Sequence, residues 1–115
     1  RWNRLHPDAA PKKSYLESVL ENESGPFIAA SDFMKAVPDQ IARWVPGGLL
    51  SLGTDGYGRS ETREALRRFF EVDAEHIVVA ALSSLAERGK IEKRVVAQAI
   101  QDLGVEVERP SPVSL

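Results

Sequence analysis

The chain has 115 residues, 43% hydrophobic and 28% charged, and its formal net charge at pH 7 is -2. This length allows one domain at most, and the nearly balanced charge gives no reason to expect nucleic acid or an anionic membrane as a partner. Cysteine is absent, which excludes disulfides and thiolate metal sites and fits a reducing cytoplasm. No apolar run approaches the ~20 residues that cross a bilayer, and no signal or transit composition is present.

The first twelve residues predict a lead-in segment. Trp2 and Leu5 lie beside Pro7 and Pro11, and these prolines would end a helix that continues from upstream. We therefore expect an extended or broken-helix segment over 1–12. The chain begins without Met, which we interpret as the interior of a longer protein.

A helix and a strand follow. Apolar residues at helical spacing predict a helix over about 14–22: Tyr15, Leu16, Val19 and Leu20. Turn residues over 22–26 end it, and the apolar run 27–30 suits an inner strand. Ser31 and Asp32 offer caps for the next helix.

The next stripe contains a proline. Its apolar positions predict a helix with a buried face: Phe33, Val37, Ile41, Trp44 and Val45. Either this helix kinks at Pro38, or a short turn over 32–36 precedes a helix whose first turn holds Pro38. The run Pro46-Gly-Gly48 ends it.

A second strand leads into a glycine-rich turn. Leu49, Leu50 and Leu52 form a short apolar run, and the glycines at 53, 56 and 58 are able to take backbone angles closed to other residues. Ser60 is then predicted to cap a helix whose first residue is Glu61. The stretch is a strand, turn and helix unit of α/β type.

Three more elements complete the pattern. Leu66, Phe69 and Phe70 mark the buried side of the helix that follows the turn. Asp73 is predicted to cap a helix that ends at Gly89, and another helix over about 92–103 ends at Gly104. The tail over 105–115 is predicted to be extended and partly loose.

The predicted helices outnumber the predicted strands. Five helices with apolar stripes accompany about two strands, which are too few to cover that much helix surface. We expect an α/β domain over 13–104 with a parallel sheet covered on both faces. Further strands are expected upstream of Arg1 or in a partner chain.

The turn Gly56-Tyr-Gly-Arg-Ser-Glu61 resembles the opening of a dinucleotide fingerprint. Glu61 replaces the third glycine, and Asp55 and Glu61 would both repel a pyrophosphate, which argues against a cofactor there. A phosphate loop is excluded because its Gly-Lys-Ser/Thr ending is absent.

Two interpretations of this turn remain open. In the structural one, Arg59 pairs with a neighbouring acid, Tyr57 is packed and Ser60 caps the helix. In the functional one, Arg59 and Ser60 bind an anion or regulatory ligand at the helix start. The candidate residues for an anion, regulatory or interface turn are therefore Asp55, Tyr57, Arg59 and Ser60.

The sequence offers few other candidates for catalytic or metal-binding residues. His6 and His76 lack partners at zinc-ligand spacing and are interpreted as surface or interface residues. No Gly-x-Ser-x-Gly elbow is present, so no serine has a nucleophile context. Trp2 and Trp44 are interpreted as core or interface anchors. The arginines of 59–68 alternate with glutamates, which is typical of a solvated or salt-bridged helix face.

Several runs, in this order and at these intervals, closely resemble the C-terminal end of the homodimeric, bacterial-type pyruvate dehydrogenase decarboxylating component. They are Ser31–Lys35, Leu52–Ser60, Arg63–Arg67, Phe70–Asp73 and Val78–Leu82, preceded by Arg1–Asn3 and Leu5–Pro7. The resemblance implies part of a transketolase C-terminal-type three-layer α/β/α sandwich with a mainly parallel sheet. It also implies that this chain is roughly the last eighth of a cytoplasmic enzyme.

That family uses thiamine diphosphate and Mg²⁺ to decarboxylate pyruvate, and passes the acetyl unit to the lipoyl group of a dihydrolipoyl acyltransferase. Its diphosphate and metal motif is Gly-Asp-Gly followed about thirty residues later by Asn. Thr54-Asp-Gly56 is a poor match, and Asn3 and Asn22 both precede it. The resemblance therefore assigns no catalytic, cofactor-binding or metal residue to this chain, since those residues belong to upstream domains.

The resemblance thus implies a scaffold and dimer-supporting role, with the chain inactive alone and a related 2-oxo acid still open as the substrate. The alternative from the residues is a free-standing α/β binding module that uses the turn Gly53–Ser60 for an anion or nucleotide. A purely structural interaction domain is the third hypothesis.

Overall fold

The structure, a computed structural model, describes residues 1–114. Within them are two β-strands, two 3₁₀ turns at 42–44 and 112–114, and six α-helices, two of which are single turns. The strands are β1 (Ile28–Ala30) and β2 (Leu50–Leu52). The helices are α1 (Trp2–Leu5), α2 (Tyr15–Leu20), α3 (Ala36–Asp39), α4 (Arg63–Phe69), α5 (Ala74–Glu87) and α6 (Lys93–Asp102). No helix in this part of the chain combines the length and apolar character needed to cross a membrane.

The two strands form a parallel pair, as predicted, with Ile28 opposite Leu50 and Ala30 opposite Leu52. Helix α5 packs against β1, and α6 packs against α5. Ser51 is buried, whereas Leu50 remains 42% exposed. Leu50 lines a small cavity together with Ser83 and Ser84 of α5, so the prediction that both faces of the sheet are covered stays a prediction.

The buried core is small. Val45, Val72 and Ala80 are the buried apolar residues of the described chain. The radius of gyration is 17.5 Å, whereas a compact domain of this length has about 13 Å. The accessible surface is 8479 Å², against about 6,200 Å² for a compact monomer of this mass. The surface in excess, about 2,000 Å², is comparable with what a stable interface covers.

The stripe over 33–44 faces solvent. Four of its predicted apolar positions are exposed, namely Phe33, Val37, Ile41 and Trp44, as is the neighbouring Met34. The fifth position, Val45, is buried. The prediction of a buried face is therefore confirmed for Val45 and wrong for the other four positions within residues 1–114. Pro38 lies in the first turn of α3, after a short turn, which confirms the second of the two alternatives at Pro38.

The start of α3 is fixed from outside its own sequence. Ser31 and Asp32 do not cap it; Lys35 stands at the N-cap position without a side-chain cap bond. The Lys35 N–H instead donates to Oδ1 of Asp55, at 2.8 Å. A residue twenty positions later in the chain therefore supplies the acceptor that the local sequence was predicted to supply.

Helix starts elsewhere follow local capping. Ser14 and Glu17 form a reciprocal capping box at α2. Asp73 caps α5 as predicted, accepting from the His76 N–H at 3.1 Å. Helix α4 begins two residues later than predicted, because the Thr62 hydroxyl, rather than Ser60, accepts from the Ala65 N–H.

Helix ends follow backbone chemistry. Gly89 and Gly104 have φ of +70° and +62°, as expected of glycines that end α5 and α6. Helix α4 ends instead on Glu71, with φ of 60°. The Val72 N–H donates to the Arg67 carbonyl at 2.9 Å, which places the buried Val72 against the end of the helix.

The tail is attached to the end of α4. Arg109 donates to the carbonyls of Arg68 and Phe69 at 3.1 and 3.0 Å, where the negative end of the helix dipole attracts a cation. The predicted looseness of the tail therefore does not extend to Arg109; Leu115 lies outside the described residues.

The first prediction concerns Gly53. A Cβ at this position would lie 2.5 Å from the Phe33 carbonyl oxygen and 2.8 Å from the Lys35 nitrogen. Gly53→Ala is expected to separate β2 from that loop at a cost of about 1–3 kcal/mol. Hydrogen exchange of the Thr54 amide, which donates to the Phe33 carbonyl, should accelerate by about ten- to a hundred-fold.

Gly58→Ala is the matched control, because a Cβ there meets nothing within 4 Å. Its exchange rates should stay within about two-fold of those of the unchanged chain. Equal acceleration in both variants would contradict a specific close approach at Gly53.

Candidate functional site

The turn Gly53–Ser60 is held to the segment that follows β1. The Thr54 N–H donates to the Phe33 carbonyl at 3.0 Å, and the Thr54 hydroxyl donates to the Asp32 carbonyl at 2.8 Å. With the Asp55 acceptor for Lys35, these bonds join the carboxyl ends of the two parallel strands. The first half of the turn therefore serves the fold.

The second half of the turn departs from the structural interpretation. Tyr57 is 78% exposed rather than packed, and Ser60 caps nothing in the described chain. Arg59 was expected to pair with an acid. Its guanidinium instead lies 4.0 Å from the centroid of the Phe69 ring. Of the four candidates, Asp55 supports the loop, while Tyr57, Arg59 and Ser60 are exposed together.

An open groove, which we call the arginine groove, lies beside this half of the turn and has a volume of about 570 Å³. Its apolar lining comes from Leu66, Phe70 and Val72, and Tyr57 lies at its rim. The charged lining residues are Arg59, Arg63, Arg67, Asp32 and Glu61. The groove thus combines an apolar floor with three guanidinium groups.

A larger cavity of about 1210 Å³ opens beyond the carboxyl end of β1. Ala30, Ile77 and Leu103 contribute apolar surface, and the N-terminal turns of α4 and α5 form its sides. Ligands of parallel α/β sheets commonly bind at this end of the strands. Here both signs of charge line the cavity: arginines at 63, 67 and 68, and carboxylates at 32, 64, 73 and 75.

His76 is the centre of a polar cluster at the corner between α4 and α5. Its side chain is 10% exposed, so His76 is not a surface residue within residues 1–114, and an interface role for it stays a prediction. The ring nitrogen Nδ1 contacts Oδ1 of Asp73, and Nε2 lies 3.9 Å from Oε1 of Glu71. Arg68 reaches the other oxygen of Asp73 at 3.2 Å.

This cluster shifts the pKa of Asp73. Burial alone would raise that pKa, but hydrogen bonds from the His76 ring, the His76 N–H and Arg68 outweigh it, and the pKa is lowered. The carboxylate is therefore the form that the fold favours. This is the chemistry of a reinforced helix cap, and no reacting atom is brought near it.

Three arginines outside the candidate set connect separate segments of the fold. Arg88, at the end of α5, donates to the carbonyls of Ser24 at 2.7 Å and Gly47 at 3.3 Å, ahead of β1 and β2. Arg109 and Arg68 join the tail and α5 to α4. In the sequence, the position of Arg88 at the C-terminus of a helix indicates that it could bind carbonyl groups. That position does not identify which carbonyls it binds.

The residues present do not fit thiamine diphosphate with Mg²⁺. Residues 1–114 hold no group of three or more His, Asp or Glu side chains able to bind a metal ion. Asp55, the nearest match to the family's diphosphate motif, accepts from the Lys35 N–H, and no Asn follows it in the sequence.

Residues 2–73 match the family of the transketolase-like TK C-terminal domain, and the chain belongs to this family. The parallel pair with its helices agrees with that fold.

More specifically, the chain is 52% identical, over 98% of its length, to the pyruvate dehydrogenase E1 component of Pseudomonas aeruginosa, of which it covers 13%. It is 45% identical over 97% of its length to that of Escherichia coli K12 and 48% identical over 93% to that of Mycobacterium tuberculosis, covering 12% of each. The chain thus spans about an eighth of the length of these curated relatives, in their C-terminal part.

The second prediction concerns Asp73. Because its pKa is lowered in the fold, its contribution to stability is complete above the unfolded value, about pH 4, and is lost as the pH falls through the folded value. Asp73→Asn should lower the free energy of unfolding by about 1 kcal/mol at pH 7. The difference from the unchanged protein should close as the pH falls through the folded value, which lies below the unfolded one.

Urea unfolding between about pH 2.5 and 7 measures this difference. Asp8→Asn is the control, because Asp8 is exposed and a surface change of this kind is expected to stay within about 0.5 kcal/mol. A gap between Asp73→Asn and the unchanged protein that is constant over the whole pH range would show that the charge of Asp73 carries no stability.

Proposed function

We propose that this chain is the C-terminal α/β domain of a pyruvate dehydrogenase decarboxylating component. In this proposal residues 13–104 form the domain, 1–12 lead into it and 105–115 form its tail. The observation that carries the proposal is the identity of 44–52% with pyruvate dehydrogenase E1 components over nearly the whole chain.

The proposed whole protein is an enzyme of the cytoplasm. It oxidatively decarboxylates pyruvate and transfers the acetyl unit to the lipoyl group of the acyltransferase component of its complex. Thiamine diphosphate and Mg²⁺ are its cofactors, and residues outside this chain bind them. Asp55 and its surroundings do not match the diphosphate motif, which supports the proposal that the cofactor-binding residues lie outside this chain.

The proposed role of the chain itself is to support the folded homodimer. Its accessible surface of 8479 Å² exceeds the compact-monomer value by about 2,000 Å², and the excess includes apolar side chains. Water contact with so much apolar surface is unfavourable. The exposed side chains over 33–44 belong to this surface, and we propose that the rest of the enzyme covers them.

The alternative, a free-standing module that binds an anion or nucleotide, gains no support from the turn. Asp55 is engaged by a backbone N–H, and Glu61 lies in the same groove as Arg59.

The third prediction tests the assignment with a chimera. The region of the Pseudomonas aeruginosa relative that matches this chain is replaced by residues 1–115, and pyruvate decarboxylation is measured with thiamine diphosphate and Mg²⁺ present. At 52% identity the packing should be retained, and kcat/KM should stay within about ten-fold of that of the parent. The same relative truncated before this region should lose its activity.

The isolated 115 residues provide the complementary measurement. Calorimetry with thiamine diphosphate and Mg²⁺ should detect no binding. Measurable affinity of the isolated chain, or full activity of the truncated relative, would contradict the proposal.

The fourth prediction tests the scaffold role in the chimera. Ile41→Asp places a charge on the exposed stripe and should lower the melting temperature or the dimer fraction, because a charge buried there costs about 1–3 kcal/mol or more. Gln40→Asp, on the adjacent exposed residue, is the matched control and should change neither. Size-exclusion chromatography and thermal unfolding give both readouts, and equal behaviour of the two variants would exclude the stripe as a covered surface.

A further inference from the structure

Six arginines of this chain fall into two groups. Arg68, Arg88 and Arg109 direct their donors to carbonyls of the chain itself. Arg59, Arg63 and Arg67 are exposed, and none of them has a hydrogen bond or ion-pair partner within residues 1–114. All three line the arginine groove, whereas three other exposed arginines lie outside its lining: Arg1, Arg4 and Arg43. Three unengaged guanidinium groups thus share one groove.

The local structure orients these three groups. Arg59 is stacked on the Phe69 ring, which supports the guanidinium while leaving its N–H donors free. Arg63 and Arg67 lie four residues apart on α4, and therefore on one side of that helix. The end of α4 is fixed by Arg109 and the start by Thr62. A guanidinium held in this way binds a carboxylate through two parallel hydrogen bonds.

The rest of the groove determines the kind of ligand. Leu66, Phe70 and Val72 provide an apolar floor, and the exposed Tyr57 ring lies at the rim. Tyrosine and arginine beside an apolar pocket are typical of protein interfaces. A small inorganic anion would leave the floor unused. Asp32 and Glu61 also line the groove, so a ligand of uninterrupted negative charge would be repelled at those two points.

We propose that the arginine groove docks an acidic peptide segment of a partner protein. In this complex an apolar side chain of the segment contacts Leu66 and Phe70, and carboxylates on either side of it bind the guanidinium groups of Arg59, Arg63 and Arg67. Charge complementarity selects the segment, and the apolar contact sets its position. None of the residues over 33–44, which we assign to contact with the rest of the enzyme, lines this groove.

The experiment uses the full-length enzyme that carries this region. Fluorescence anisotropy measures binding of a labelled peptide, Glu-Glu-Leu-Glu-Glu, alongside Gln-Gln-Leu-Gln-Gln and Glu-Glu-Ser-Glu-Glu. The acidic peptide with leucine should bind tightest. The double variant Arg63→Gln/Arg67→Gln should raise its Kd by about ten-fold, and higher salt should weaken it further.

Arg94→Gln is the matched control, because Arg94 is exposed and pairs with Glu92 on α6, away from the groove lining. Its Kd should stay within about two-fold of the unchanged protein. Arg63→Lys/Arg67→Lys keeps the charge and should still lose several-fold in affinity, since lysine lacks the fork of donors.

Equal binding of the glutamine peptide, an unchanged Kd in the Arg63→Gln/Arg67→Gln variant, or equal losses in Arg94→Gln would each overturn the proposal. Displacement of the peptide by inorganic phosphate at equal concentration would also overturn it, in favour of a small-anion site. The readout is separate from turnover, so an inactive chimera would reject the enzyme assignment and leave this surface untouched.

Discussion

The close approach between the exit of β2 and the segment after β1 is the constraint on which the rest of this chain depends. Gly53 lies so near the Phe33 carbonyl that no side chain fits, and Thr54 and Asp55 then bond to the same segment. This contact fixes the parallel pair and the start of α3 together. It also directs the second half of the turn outward, where Tyr57 and Arg59 border the arginine groove.

Around that centre the chain forms a layer rather than a closed core. Helix α5 packs against β1 and α6 packs against α5, while the exposed apolar side chains over 33–44 remain in water. Such a surface is consistent with a domain that is completed by other parts of a longer enzyme. The small number of buried side chains also explains why a chain of ordinary composition has a radius of gyration as large as 17.5 Å.

Two uses of the exposed surface differ in chemistry. The stripe over 33–44 is apolar, which suits permanent burial inside an assembled enzyme. The arginine groove combines unengaged guanidinium groups with a small apolar floor, which suits reversible binding of an acidic segment. Residues that anchor the fold are separate from both, because Arg68, Arg88 and Arg109 donate to backbone carbonyls.

Periodicity and turn chemistry alone determined the order of the elements, the parallel pair, the Asp73 cap and the glycine ends at 89 and 104. Each of these depends on residues within a few positions of one another. The resemblance over 31–82 gave the family. Only the tertiary structure decided that Asp55 rather than Ser31 or Asp32 supports the start of α3, that Arg59 stacks on Phe69, and that His76 is covered. The Asp55 and Arg59 contacts join different segments of the chain, and the covering of His76 by Glu71 and Asp73 depends on how the chain turns between α4 and α5. Whether an apolar stripe is buried depends on which surfaces face it, and the spacing within one segment does not specify those surfaces.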